Sequence, residues 1–210
     1  MDFDNYQLPL HNPWWDEAFD VGKETKLKEL GTAKFIYRHP LTWEFPENSD
    51  VVFTLRGPRR IGKTTLLKQI IAGLIRNGHQ RQKILYFPCD RIKDFNEIYF
   101  LIQNFVLEAR AENDRRLFLF IDEISSVADW QRAVKALADD GFLKNTTAIL
   151  TGSNALDLKK SSERLPGRTG KWFKSDKTFL PLNFKEFYRL THPQWDAKVH
   201  FQEIPKYKKA

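Results

Sequence analysis

The residues best suited to chemistry form the run Gly57-Pro58-Arg59-Arg60-Ile61-Gly62-Lys63-Thr64, which fits the pattern G-x-x-x-x-G-K-[ST] in full. Glycine at positions 57 and 62 allows the unusual dihedral angles that turn successive backbone N–H groups toward phosphate oxygens. Lys63 adds a point charge, and a helix beginning there directs its positive end at the same phosphates. Thr64 supplies a hydroxyl for Mg²⁺, and Thr65 continues the phosphate contacts. The run predicts a nucleotide-binding P-loop.

Two acids that end a hydrophobic segment are the second candidate. Leu117-Phe118-Leu119-Phe120-Ile121-Asp122-Glu123 reads as a buried strand followed by carboxylates. Asp122 is expected to hold Mg²⁺, directly or through water, and Glu123 to activate the water that attacks the γ-phosphate. An alternative interpretation is a solvated corner, but the preceding P-loop favours the catalytic one.

Three further residues have weaker claims to the same site. Ser153 and Asn154 follow the next predicted strand, and they could touch the γ-phosphate or the attacking water, although both are also common in turns and helix caps. Arg168 lies in a Gly-rich loop and could stabilise γ-phosphate charge, from its own subunit or from a neighbour's. Arg59 and Arg60 are alternatives for that contact, or they form a partner surface.

The choice of nucleotide and metal rests on what the sequence lacks. No Asn-Lys-x-Asp segment of the guanine-specific kind is present, so ATP is favoured. The five histidines are scattered, and Cys89 is the single cysteine, so we expect no zinc site. The predicted ligands are therefore ATP and Mg²⁺.

These residues need a scaffold, and the pattern around them is one of repeated strand-helix units. Apolar runs of strand length alternate with amphipathic segments over Lys63 to Arg76, Phe95 to Glu112 and Val127 to Ala138. The predicted strands are Val51 to Arg56, Ile84 to Cys89, Leu117 to Asp122, Thr147 to Thr151 and Lys177 to Leu182. Their nearly continuous apolar character indicates an α/β fold, with a parallel five-stranded P-loop sheet covered by helices on both faces.

Length and charge set the remaining organisation. A chain of 210 residues, 41% hydrophobic, is expected to form one main domain. We divide it into an N-terminal arm (1–50), an ATPase core (51–190) and a basic tail (191–210). The arm should contain a helix near residues 24–34 and a short strand at 34–38, with Trp14 and Trp15 as packing anchors. With no signal segment or membrane span apparent, a cytoplasmic location is expected.

Charge is unevenly distributed along the chain. Residues 1–50 hold 5 Lys and Arg against 10 Asp and Glu, which leaves 29 against 17 for residues 51–210. Part of this excess is concentrated between Lys159 and Lys177. A solvated loop explains such a run more simply than a nucleic-acid surface, and both interpretations stay open.

The chain resembles the AAA-type ATPases of archaea and bacteria that carry a C-terminal domain of unknown function, a group allied to the signalling and AAA+ ATPases. The resemblance rests on Asn12-Pro13-Trp14-Trp15, on the P-loop and the acidic pair, on Leu150-Thr151-Gly152-Ser153, and on Gly167-Arg168 followed by Pro181-Leu182-Asn183-Phe184-Lys185-Glu186-Phe187. It implies the strand order 5-1-4-3-2 and an ATP ligand. Relatives of this kind continue into a helical region and an effector domain, so this chain is expected to be either a truncated form or one without the effector domain.

The leading functional prediction is Mg²⁺-dependent ATP hydrolysis that drives a conformational change in a partner or in a C-terminal domain, with a homo-oligomer as one assembly. The alternative is a nucleotide-dependent switch with little turnover, for which an association with nucleic acid stays open. A small-molecule kinase is a further reading, against which the adjacent Asp122 and Glu123 favour water as the acceptor.

Overall fold

The computed structural model describes residues 7–92, 94–153 and 176–192. Within them lies a sheet of five strands: β1 (Val51–Arg56), β2 (Ile84–Pro88), β3 (Leu117–Asp122), β4 (Thr146–Gly152) and β5 (Asp176–Thr178). All neighbouring strands are parallel, and their spatial order is β2-β3-β4-β1-β5. This is the order 5-1-4-3-2 read from the other edge, so the predicted fold class and topology are confirmed.

The strands form because their residues are apolar on both sides and are covered on both faces. Alternate residues of β3 point to opposite layers: Leu117, Leu119 and Ile121 belong to one buried cluster, and Phe118 and Phe120 belong to the other. A strand with two dry faces reads as an uninterrupted apolar run rather than an alternating one. This is why β1 and β3 begin and end at the residues predicted.

Six α-helices are described: α1 (Leu8–His11), α2 (Thr25–Gly31), α3 (Lys63–Arg76), α4 (Phe95–Glu112), α5 (Trp130–Asp139) and α6 (Phe184–Thr191). The first cluster packs α4 and α5 on the sheet, and the second packs α3 together with residues of the arm on the opposite face. Helices α3 and α4 have the predicted bounds. In the described part of the chain, no helix is both long enough and apolar enough to cross a bilayer.

Four predicted elements of the core have different bounds in the structure. Strand β2 ends at Pro88 rather than Cys89, and β4 covers Thr146–Gly152 rather than 147–151. Helix α5 begins at Trp130 rather than Val127, because Asp129 has φ 53° and a left-handed residue cannot lie inside a right-handed helix. Strand β5 covers Asp176–Thr178 rather than 177–182, since it pairs with the last three residues of β1 and Pro181 has no N–H to extend the ladder.

The predicted strand at residues 34–38 was wrong, because this stretch is mostly exposed and forms no strand.

The N-terminal arm covers the edge of the sheet at β2. The side-chain amide of Asn12 accepts from Tyr86 N–H (2.7 Å) and donates to Tyr86 C=O (3.0 Å). The indole N–H groups of Trp14 and Trp15 donate to Ile84 C=O at 3.1 and 2.9 Å. Trp14 is fully buried, which confirms its prediction as an anchor.

Candidate nucleotide-binding site

The P-loop runs from the end of β1 to the start of α3, and its glycines are required by the path of the backbone. A Cβ placed on Gly57 would lie 2.5 Å from the carbonyl oxygen of Phe179, which is too close for any side chain. Gly62 has φ 102°, in the region that favours glycine. Between them, Arg60 also adopts a positive φ of 63°. The loop therefore curls tightly at the carboxyl edge of the sheet, as the sequence pattern predicts.

Lys63, the first residue of α3, points back into this loop. Its ammonium group donates to the carbonyl oxygens of Gly57 (2.9 Å) and Pro58 (3.0 Å) and forms an ion pair with Glu123 Oε1 at 3.3 Å. The side chain is only 4% exposed. These three contacts fix the ammonium group inside the loop.

Asp122 ends β3 and gathers three hydroxyl groups. Its Oδ2 accepts from Thr64 Oγ1 at 2.6 Å and from Tyr86 OH at 3.0 Å, and its Oδ1 accepts from Thr151 Oγ1. Burial, and then the negative charge of Asp122, raise the pKa of Tyr86 far above its usual value, so this phenol stays protonated and donates. The carboxylate is buried and its orientation is determined by these donors.

Glu123 is placed by an unusual backbone conformation. Its φ of 53° turns the chain sharply out of β3. Its N–H donates to Thr151 Oγ1 (2.9 Å), its Oε2 accepts from the backbone N–H of Ser153 (3.1 Å), and its Oε1 faces Lys63. One oxygen of the Glu123 carboxylate is thus held by a neutral donor and the other by a cation. The carboxylate therefore lies beside the P-loop as a hydrogen-bond acceptor.

The structure brings together most of the predicted site residues. Lys63, Thr64, Asp122 and Glu123 form a connected network, and Ser153 joins it through its backbone N–H rather than through its hydroxyl. Asn154 and Arg168 lie outside the described residues, as does the basic stretch up to residue 175.

Sequence reasoning missed two residues that contact Asp122, namely Tyr86 and Thr151. Both follow from the strand order, because β2 and β4 flank β3. Pro88 pairs with Asp122, so Tyr86 lies two residues earlier on the same face of β2, and Leu150 pairs with Ile121 just before Thr151. The signal was a polar residue near the carboxyl end of each neighbouring strand.

A cavity of about 440 Å³ opens beside Glu123. It is lined by Arg59, Arg60, Asp90, Glu123, Ser125, Ser126 and Ser153. This mixture of cations, acids and hydroxyls suits the phosphate end of a ligand and a water molecule. A larger cavity of about 820 Å³ lies elsewhere, between the arm and α3, and contains none of the predicted site residues. The chemistry of the side chains, rather than cavity size, therefore identifies the site.

The residues present fit a magnesium ion bound with phosphates. Among the described residues there is no group of three or more His, Cys, Asp or Glu that could hold a metal ion. Mg²⁺ in phosphate sites needs no such group, because it takes one or two protein oxygens, with phosphates and water filling the other positions. Thr64 Oγ1 and Asp122 Oδ2, 2.6 Å apart, are an oxygen pair of that kind.

A family model described as an AAA domain matches residues 49–188, which contain the sheet and the site. An uncharacterized protein of Haemophilus influenzae is 30% identical over 168 residues, covering 78% of this chain and 39% of that protein. An uncharacterized protein of Methanocaldococcus jannaschii is 32% identical over 178 residues, covering 83% of this chain and 35% of that protein. The chain spans less than two fifths of either relative.

Among solved structures, the Aeropyrum pernix ORC2 protein in ADPNP-ADP complexes is similar with a TM-score of 0.48 at 16% identity, over 85% of this chain and 54% of that one. C. elegans PCH-2 is similar with a TM-score of 0.43 at 21% identity, over 77% of this chain and 48% of that one. Because both scores are below 0.5, the family model and not these structures identifies the family.

Proposed function

The chain belongs to the AAA domain family, and from this membership and the contacts of the P-loop we propose that it binds ATP with Mg²⁺ and hydrolyses it. One observation carries the proposal: Lys63 and Thr64, which end the P-loop motif, each contact one of the two acids that end β3. Lys63 lies 3.3 Å from Glu123, and Thr64 lies 2.6 Å from Asp122. A phosphate-binding pair and an acidic pair in contact are what metal-assisted phosphoryl transfer to water needs.

Binding is assigned to the P-loop. The backbone N–H groups of residues 59–62 and of Gly57, with Lys63 and Thr65, would surround the β- and γ-phosphates, and Arg59 and Arg60 would approach from the adjoining cavity. Thr64 and Asp122 would hold Mg²⁺, which when bound neutralises phosphate charge. The Lys63 ammonium group donates to two loop carbonyl oxygens and pairs with Glu123. An incoming phosphate would compete for this ammonium group, which binds anions as a point charge.

Hydrolysis is assigned to Glu123. When Lys63 turns to phosphate, Oε1 of Glu123 loses its counter-ion and becomes free to accept a proton from water, while the Ser153 N–H still holds Oε2. Thr151 holds Asp122 and the backbone of Glu123 together, so that the metal-holding and proton-accepting carboxylates keep a fixed relation. Asn154 and Arg168 are proposed to add contacts to the γ-phosphate.

The Lys63–Glu123 ion pair also favours a second candidate, a nucleotide-dependent switch. Because phosphate and Glu123 compete for one ammonium group, binding alone would release the acid from the loop, without turnover. Either activity could act on a partner, a further copy of the chain or an effector domain, since the relatives extend well beyond the matched region. The choice of ATP over other nucleotides is part of this proposal.

The test is phosphate release measured beside ATP binding in the Glu123→Gln variant. We expect the unmodified chain to release phosphate with Mg²⁺. The variant should bind ATP at least as tightly, because the carboxylate that competes for Lys63 is gone, while turnover falls at least ~100-fold, the usual contribution of a general base. Glu108→Gln, on the exposed side of α4, is the matched control and should change neither quantity. Tight binding without turnover in the unmodified chain would favour the switch, and absence of ATP binding would contradict both candidates.

A further inference from the structure

The N-terminal arm is fastened to the backbone of Tyr86 on both its N–H and its C=O. Asn12, with no exposed surface, pairs with both the N–H and the C=O of Tyr86 and also donates to Leu8 C=O at 2.8 Å. The two hydrogen bonds hold the peptide groups on both sides of the Tyr86 Cα. The arm therefore sets the position of the Tyr86 backbone on the edge strand β2.

A second contact fixes the ring of Tyr86. The ammonium group of Lys68, on α3, lies 3.5 Å from the centre of the Tyr86 ring and 4.6 Å from that of Trp14. It also lies 3.7 Å from a carboxylate oxygen of Glu24 and donates to His11 C=O at 3.3 Å. Trp14, Glu24 and His11 all belong to the arm. This cation thus joins the arm, α3 and the Tyr86 ring in one buried cluster.

The free end of that ring reaches the site. The Tyr86 hydroxyl donates to Asp122 Oδ2 at 3.0 Å, on the oxygen that also accepts from Thr64. If Thr64 ligates Mg²⁺ as proposed above, its hydroxyl oxygen gives a lone pair to the metal while its proton can stay on this carboxylate oxygen. Tyr86 is the second of the two donors that the structure gives Oδ2, and it comes from β2 rather than from the P-loop.

Resting on the proposed function, we propose that Tyr86 is a positioning residue for Mg²⁺ at the nucleotide site, and that the arm acts on this site by holding Tyr86 through Asn12. Hydrogen bonds from an outer ring of residues orient the ligands of a metal, and their loss typically weakens metal binding by about 10–100-fold. The path runs from Asn12 through the Tyr86 backbone and the Tyr86 hydroxyl to Asp122. The arm would then help to orient Asp122 at the nucleotide site, and would also cover the edge of the sheet.

The deciding variant is Tyr86→Phe, which keeps the ring beneath Lys68 and removes the hydroxyl. ATP affinity is measured first in EDTA, and Mg²⁺ is then titrated into the ATP-loaded protein by calorimetry. We expect ATP affinity in EDTA to stay within about twofold, whereas the Mg²⁺ concentration for half-saturation rises about tenfold. The matched control is Tyr99→Phe, because Tyr99 donates to Asp140 at 2.6 Å on an exposed surface away from the site. It should leave both values unchanged.

The outcomes separate this inference from the proposed function. If the unmodified chain does not bind ATP, or if Mg²⁺ does not tighten binding, the proposed function fails. If it does and Tyr86→Phe has the Mg²⁺ affinity of the unmodified chain or a higher one, the role of Tyr86 is wrong. Asn12→Ala, taken as folded from its circular dichroism spectrum, should weaken Mg²⁺ binding in the same direction. An unchanged Mg²⁺ affinity in that folded variant would remove the arm from the path.

Discussion

Replacing Asn12 with alanine should weaken the attachment of the arm to the sheet. The resulting loss in the free energy of unfolding can be worked out from the contacts of this side chain. The side chain makes hydrogen bonds of 2.7 and 3.0 Å with the two backbone groups of Tyr86, at a fully buried position. Alanine leaves both groups without their partner, and each such buried group costs roughly 1–3 kcal/mol. The donor lost by Leu8 C=O adds little, because that oxygen also accepts from the Asn12 backbone N–H. We expect a loss of about 3 kcal/mol.

Urea unfolding followed by tryptophan fluorescence measures this loss. With a slope of about 2 kcal/mol per molar urea, typical of small proteins, the midpoint should fall by roughly 1.5 M. Asn96→Ala is the matched control, because Asn96 is exposed on α4, and its midpoint should move by less than about 0.3 M. A shift that small for Asn12→Ala would refute the reasoning, since it would mean that water replaces the lost contacts and that the arm does not seal the edge of β2.

Two further predictions concern the P-loop and the buried lysine. Gly57→Ala places a Cβ 2.5 Å from the Phe179 carbonyl oxygen, so it should lower the free energy of unfolding by about 1–3 kcal/mol and weaken ATP binding. Gly73→Ala, with open space around it in α3, should raise the free energy of unfolding by roughly 0.5–1 kcal/mol. Equal urea midpoints for the two variants would contradict this. Burial lowers the pKa of Lys68 from 10.5 to about 8, against the raising effect of Glu24. Burying the charged ammonium group therefore lowers the free energy of unfolding below pH 8, and this loss disappears as the pH rises to 10.5. Between pH 7.5 and 10.5, the free energy of unfolding of the unmodified chain should rise by up to about 3 kcal/mol relative to that of Lys68→Met. Parallel pH profiles of the two proteins would contradict this.

Local sequence signals were sufficient for elements whose ends are chemically marked. Gly62 and Asp94 precede α3 and α4, and the Asp94 carboxylate caps the backbone N–H groups of Asn96 and Glu97. Both helices have their predicted bounds for that reason. The start of α5 carried no comparable mark, because nothing in a sequence shows that Asp129 will adopt a left-handed conformation.

The predicted strand at residues 34–38 failed for a different reason. An apolar stretch forms a strand only where a sheet edge is available, and the part of the arm that reaches the edge at β2 is the Asn12 to Trp15 segment. Side-chain amide and indole groups satisfy that edge, and a periodic pattern does not describe such contacts. A tertiary contact thus decided what local propensity left open.

The candidate site was predictable where it depends on neighbours in sequence and not where it depends on neighbours in space. The P-loop and the Asp122-Glu123 pair are continuous motifs, so they were found directly. Tyr86 and Thr151 were missed because their link to Asp122 exists only once β2 and β4 are placed on either side of β3. That order came from a family resemblance and not from the periodicity of the strands.

The measurement that tests the central claim most directly is an ATP titration, with Mg²⁺ and with EDTA, of the unmodified chain and of Lys63→Ala. Lys63 is the P-loop cation held inside the loop, and Lys135→Ala, on the exposed side of α5, removes the same charge elsewhere. The account predicts saturable binding that Mg²⁺ strengthens, retained in Lys135→Ala and reduced at least ~100-fold in Lys63→Ala, which corresponds to about 2.7 kcal/mol. Equal ATP affinity in the two lysine variants, or no binding by the unmodified chain, would contradict it.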